Sequence, residues 1–182
     1  MNFIDKNNIL TINNAFNRIF MKKLILVRHA KSSWEYNVID HERPLNERGT
    51  NDANMVSKAL TNNMLGIELI MSSDAIRAKT TASIFISNLE IKEKNVCFSH
   101  DLYDFEGRNL LRVIKNCDDS IKNLMIFGHN HAITAFVNTY GNQYIDNVPT
   151  CGVVIIEFNI KSWNNLKLGK TLFTLFPKDL KQ

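Results

Sequence analysis

The run Met21-Lys22-Lys23-Leu24-Ile25-Leu26-Val27-Arg28-His29-Ala30 decides the fold. Four apolar residues stop abruptly at two ionisable ones. A run this short has the length of a strand and falls far below the ~20 apolar residues that a membrane span requires. The same pattern returns at Leu124-Met125-Ile126-Phe127-Gly128-His129, and Val153 to Ile156 forms another short apolar run. Between such runs lie longer stretches of helical period. That alternation predicts an α/β protein, a three-layer sandwich with a mostly parallel sheet, an antiparallel edge and helices on both faces.

Strands are expected over 23–28, 68–72, 96–100, 123–128, 153–159 and 172–176, the last two forming the antiparallel edge. Helices are expected over 47–62, with Ala53, Val56, Ala59 and Leu60 on one face, and over 75–88, 109–116 and 132–140. Gly49 weakens the first of these only locally. Residues 31–46 hold Trp34, Pro44 and mixed charges without a period, and read as a loop over the carboxyl ends of the strands. Residues 21–182 make one domain. In residues 1–20, Ile9, Ile12, Phe16, Ile19 and Phe20 recur at helical spacing among weakly helix-forming asparagines, so this segment reads as an extension carrying one short amphipathic helix. It lacks the basic start, apolar stretch and small-residue cleavage site of a secretory signal. Met21 is a candidate translation start.

Composition narrows the function. The chain has 182 residues, 45% hydrophobic and 22% charged, enough for a full core without metal or disulfide staples. Cys97, Cys117 and Cys151 are odd in number and widely spaced, which favours a reducing compartment, the cytoplasm by default. The net charge is +4, but 22 Lys and Arg barely exceed 18 Asp and Glu and are scattered. No nucleic-acid or membrane partner is expected.

Three strand ends carry the chemistry. In an open α/β sheet, ligands sit beyond the carboxyl ends of the strands, where Arg28 and His29 fall. Taken alone, the pair also reads as a capped strand with a surface Arg and a hydrogen-bonded His. The second end is Ser72-Ser73-Asp74-Ala75-Ile76-Arg77. Arg77 lies in the first turn of the next helix, where partial positive charge disfavours a cation unless an anion is held there too. Its alternative is an Arg extended to solvent. The third end is Gly128-His129-Asn130-His131, where glycine permits close backbone approach to a ligand. His129 and His131 would need a third ligand to hold a metal. The other histidines, His41 and His100, show no recognisable metal spacing, so neither metal nor other cofactor is expected.

Jointly these motifs, with Asp40-His41-Glu42-Arg43-Pro44-Leu45-Asn46-Glu47-Arg48-Gly49, resemble the histidine phosphatase superfamily, and within it the SixA-like phosphohistidine phosphatase branch. The resemblance spans Met21 to about Phe176 and implies a phosphoglycerate mutase-like fold. It implies that His29 is the nucleophile that becomes phosphorylated, that Arg28, Arg77 and His129 form the phosphate pocket, and that water then hydrolyses the intermediate. Arg43 is a further candidate for phosphate binding, with a surface ion pair to Asp40 or Glu42 as its alternative. Glu106 and Asp104 are candidates for a general acid, or else cap the next helix. The implied substrate is phosphohistidine on a protein, whose protonated imidazole leaves without such an acid. The alternatives are a small phosphate ester, cleaved by a phosphomonoesterase or mutase-like enzyme, and a non-catalytic phosphate-binding module.

Overall fold

A computed structural model describes residues 20–61 and 66–181. Six strands, β1 (Met21–Arg28), β2 (Leu69–Ser73), β3 (Val96–Ser99), β4 (Asn123–Gly128), β5 (Val153–Asn159) and β6 (Lys170–Leu175), alternate with four helices among the described residues. The helices are α1 (Glu47–Thr61), α2 (Ile76–Asn88), α3 (Arg108–Lys115) and α4 (Ala132–Tyr140). The expected amphipathic helix of the first twenty residues lies outside the described residues. None of the described helices is long and apolar enough to cross a membrane.

The sheet runs in the order β3-β2-β4-β1-β5-β6. β3, β2, β4 and β1 are mutually parallel, and β5 runs against both β1 and β6. Alternation along each central strand divides the core in two. Leu24 and Leu26 of β1 join Leu124 and Ile126 of β4 beneath Leu110, Ile114, Ile133 and Phe136 of α3 and α4. Ile25 and Val27 join Met125 and Phe127 beneath Ala53, Val56, Leu60 and Phe85 of α1 and α2. Both faces of the central strands are therefore covered, which is why β1 and β4 read as unbroken apolar runs rather than alternating ones. The three-layer α/β expectation matches this architecture.

The differences lie at element ends. β3 stops one residue early because the Ser99 side chain accepts from the Asp101 N–H and opens a 3-10 turn over His100–Leu102. β6 sits two residues earlier than expected at its start, and the Phe176 N–H leaves the ladder to donate to Asp179 at 2.9 Å. Gly49 does more than weaken a helix locally. A side chain there would collide with the backbone carbonyl of Lys31, and its N–H donates to Asn46 Oδ1 at 2.8 Å. The glycine thus lets α1 press against the loop that follows β1 and anchors that loop over the strand ends.

Candidate active site

Register brings the strand ends level. Arg28 of β1 pairs with Gly128 of β4, and Ser72 of β2 with Phe127 of β4. The next residues of these strands, His29, His129 and Ser73, therefore emerge side by side. The His29 N–H continues the ladder to the Gly128 carbonyl at 3.0 Å. The His29 and His129 rings lie 5.0 Å apart, and both residues are buried.

Hydrogen bonds fix both tautomers. His29 Nδ1 lies 2.8 Å from the Ala30 carbonyl, which only accepts, so Nδ1 carries the proton and Nε2 keeps its lone pair. That lone pair faces Arg77 Nε at 3.3 Å. Arg77 Nη2 lies 3.3 Å from His129 Nδ1, which must accept, so His129 Nε2 donates to Ser73 Oγ at 2.8 Å. Burial, joined by the charges of Arg77, Arg28 and Arg43, pulls His29 from 6.5 to about 3, against the opposing bond to Ala30. Burial, with the nearby His29 and Arg77, takes His129 to about 2. Both imidazoles are neutral over the ordinary pH range.

Arg77 is almost wholly buried and uses its fork on Asp40: Nη2 donates to Oδ2 at 2.8 Å and Nη1 to the backbone carbonyl. The other Asp40 oxygen, Oδ1, accepts from Arg43 Nε at 3.0 Å, and Oδ2 accepts from Tyr103 Oη at 2.6 Å. Burial acts to raise the Asp40 carboxyl, but the Tyr103 hydrogen bond and the arginine charges outweigh it and hold the group below its ordinary value. Arg43 stacks over Trp34, its guanidinium carbon 3.4 Å from the ring centre. Arg28 Nη1 donates to the Val148 carbonyl at 2.7 Å. Two buried guanidinium atoms, Arg28 Nε and Arg43 Nη1, have no hydrogen-bond partner among the described residues. Three guanidiniums and one carboxylate make a cationic rim that suits a polyvalent oxyanion.

A profile of the histidine phosphatase superfamily (branch 1) matches residues 24–116, about half of the chain. This chain belongs to the histidine phosphatase superfamily. An uncharacterised chloroplastic protein of Arabidopsis thaliana is 30% identical over 151 residues, 78% of this chain and 69% of that protein. An uncharacterised protein of Mycobacterium leprae is 26% identical over 163 residues, 82% of this chain and 98% of its own. Among solved structures, the Agrobacterium tumefaciens protein designated phosphohistidine phosphatase SixA superposes with a TM-score of 0.73 at 21% identity, covering 86% of this chain and 98% of that one. The protein histidine phosphatase SixA complexed with tungstate gives 0.71 at 16% identity, with 87% and 99% coverage. A phosphoglycerate mutase of Bacillus anthracis gives 0.58 at 16% identity, with 81% and 92% coverage. These structural likenesses show a shared fold.

In this member of the superfamily, Arg77 touches both His29 and His129, and Arg43 joins them through Asp40. Arg43 does pair with Asp40, as one of its two readings had it; Arg43 itself is buried at 7% exposure, while the Asp40 side chain remains exposed. The acid candidates go elsewhere. The Asp104 carboxylate accepts from the backbone N–H groups of Glu106, Gly107 and Leu110 at 2.9–3.0 Å, and so caps the start of α3. Glu106 is exposed and lies 3.7 Å from Arg108. His131 is exposed beyond the buried His129. Sequence reasoning assigned no role in the site to Ser73, Tyr103 or Asp40, or to the His41–Asp74–His100 cluster. The signal available for Asp40 was its place three residues before Arg43, and for Ser73 its place directly after an apolar strand.

Proposed function

We propose that this chain is a phosphatase that works through phosphohistidine on His29, with phosphohistidine on another protein as its principal substrate. The observation that carries the reading is the unprotonated Nε2 of His29, its tautomer fixed by the bond from Nδ1 to the Ala30 carbonyl, which in this structure accepts from Arg77 Nε, the guanidinium that would meet the phosphoryl oxygens. In the first step Nε2 attacks phosphorus, a new N–P bond forms, and the bond to the substrate's imidazole, protonated on its other ring nitrogen, breaks with its electrons leaving on the nitrogen that held phosphorus, so that neutral imidazole departs. In the second step water attacks the same phosphorus. The bond to Nε2 breaks, His29 regains its lone pair, inorganic phosphate departs and the water's proton passes to solvent. The charge that spreads over the equatorial oxygens is met by Arg77, Arg28 and Arg43, with Arg28 Nε and Arg43 Nη1 as donors that no described residue engages. His129 completes the pocket. No metal takes part in these steps.

Leaving-group chemistry supports the choice of substrate. An alkoxide needs a proton as it departs, whereas an imidazole already protonated on its other ring nitrogen does not. Asp104 is engaged as a cap, Glu106 is exposed, and Asp40 already accepts from two guanidiniums and a phenol. None of these is a ready acid, which disfavours small phosphate esters. The three free cysteines agree with a reducing compartment such as the cytoplasm.

The test is a side-by-side assay of a phosphohistidine protein, a sugar phosphate and p-nitrophenyl phosphate with wild type and His29→Ala. We expect phosphohistidine to be hydrolysed fastest, His29→Ala to be inactive, and wild type to carry acid-labile phosphate during turnover. Faster turnover of the sugar phosphate would transfer the reading to small esters. A folded wild type that binds phosphate but is neither labelled nor active would make it a binding module.

A further inference from the structure

We propose that His41, Asp74 and His100 form a site for a zinc ion or similar divalent transition metal at the rim beside His29. The site stands independently of the reaction assigned to His29. The fold assembles it from three separate elements. Ser73 of β2 is in register with Ser99 of β3, so the following residues, Asp74 and His100, emerge next to each other. His41 arrives from the 3-10 turn Asp40–Glu42 above them. Its Nε2 lies 2.8 Å from Asp74 Oδ1, and His100 Nδ1 lies 3.0 Å from Asp74 Oδ2. The three ligand atoms all fall within 4.8 Å of one another.

An ion with bonds of about 2.0–2.1 Å in tetrahedral geometry spaces its donors roughly 3.3 Å apart, so small side-chain rotations convert these contacts to ligation. Two imidazoles and one carboxylate suit zinc, nickel or cobalt and not magnesium or calcium, which prefer oxygen. His100, with 74% of its side chain exposed, leaves the ion reachable and a fourth position open to water. Tyr103 walls the cluster, its ring 5.0 Å from His41, while its hydroxyl donates to Asp40. An ion here would pin to the sheet the turn that carries Asp40 and Arg43, tying together residues 33 and 26 positions apart.

The experiment uses the full chain, stripped with chelator and dialysed against zinc or magnesium, with metal content and melting temperature measured for wild type, His100→Ala, Asp74→Asn and His29→Ala. We expect one zinc and no magnesium per chain in wild type and in His29→Ala, and binding at least about tenfold weaker in His100→Ala and Asp74→Asn. Zinc at about a hundredfold excess over its wild-type Kd should raise the wild-type melting temperature by about 5 °C and that of His100→Ala by no more than about half as much. Exposed His100 tolerates substitution, so that variant stays folded. The proposal is overturned if wild type takes up no zinc, if uptake survives both His100→Ala and Asp74→Asn, or if His29→Ala alone abolishes it.

Discussion

The Arg77 guanidinium is forked on Asp40, with Nη2 2.8 Å from Oδ2 and Nη1 on the backbone carbonyl of the same residue. Arg43 and Tyr103 donate to the same carboxylate. Asp40 thus meets the site's cations in the manner of an anion, and its charge opposes that of any oxyanion arriving there. Asp40→Asn keeps the shape and an acceptor oxygen but removes the charge. Tungstate inhibition of this variant should tighten by roughly threefold at low salt, the scale of one partly exposed ion pair. Weaker inhibition would mean that orienting Arg77 matters more than the repulsion.

Arg77→Lys keeps a positive charge but loses the fork that reaches His29, His129 and Asp40 together. A lysine offers a point charge on a flexible stem, so kcat/KM should fall by about 10²–10³ with the fold retained. Steady-state kinetics paired with circular dichroism checks this. A loss under tenfold would remove Arg77 from the transition state.

The pH response follows from the depressed imidazoles. His29 titrates near 3 in the folded chain against an ordinary value of 6.5, and His129 is depressed further. Between those values the unfolded chain binds more protons, so stability is complete above about pH 6.5 and declines as the pH falls towards 3. Melting temperature should climb from pH 4 to 7 and climb less in His29→Asn. Because kcat/KM reports the free enzyme, the nucleophile should impose no acid limb between pH 5 and 8 once substrate ionisation is accounted for. An acid limb near pH 6.5 that persists once substrate ionisation is accounted for would contradict the buried, neutral imidazole.

Asp104 and Glu106 should separate cleanly. Asp104→Ala strands three backbone N–H groups at the start of α3 and should cost about 1–3 kcal/mol in urea unfolding, with phosphohistidine turnover little changed. Exposed Glu106→Gln should alter neither quantity. If Glu106→Gln abolished turnover of alkyl phosphates alone, it would be the acid after all.

Gly49→Ala should be among the most damaging single-methyl changes. The added carbon meets the Lys31 carbonyl, and neither α1 nor the loop can withdraw without breaking the bonds of Asn46 to Lys31 and Gly49. We expect a loss of about 2–3 kcal/mol together with weakened anion binding, since the same loop leads to Arg43. Calorimetry and tungstate titration measure the two effects separately, and unchanged stability would refute the close approach.

Much of this was legible beforehand. β1 and β4 announced themselves because the stretches covered on both faces, Leu24 to Val27 and Leu124 to Phe127, are apolar at every position, and Arg28, His29 and His129 stand at the ends where those runs stop. Asp104 was ambiguous. A carboxylate before a helix looks the same whether it caps or donates protons, and only the three N–H groups at 2.9–3.0 Å separate the readings.

The sequence by itself determined the layering and the strand ends, because burial periodicity is a local property written residue by residue. Tertiary structure alone decided that Asp40 sits between Arg77 and Arg43, that Tyr103 closes over it, and that His41, Asp74 and His100 meet. All of them but Arg77, in the first turn of α2, lie on loops or short 3-10 turns without period, and their neighbours are chosen by strand register and by where Gly49 lets α1 press the loop down. Such contacts join positions tens of residues apart, a separation at which spacing along the chain carries no information about distance in space.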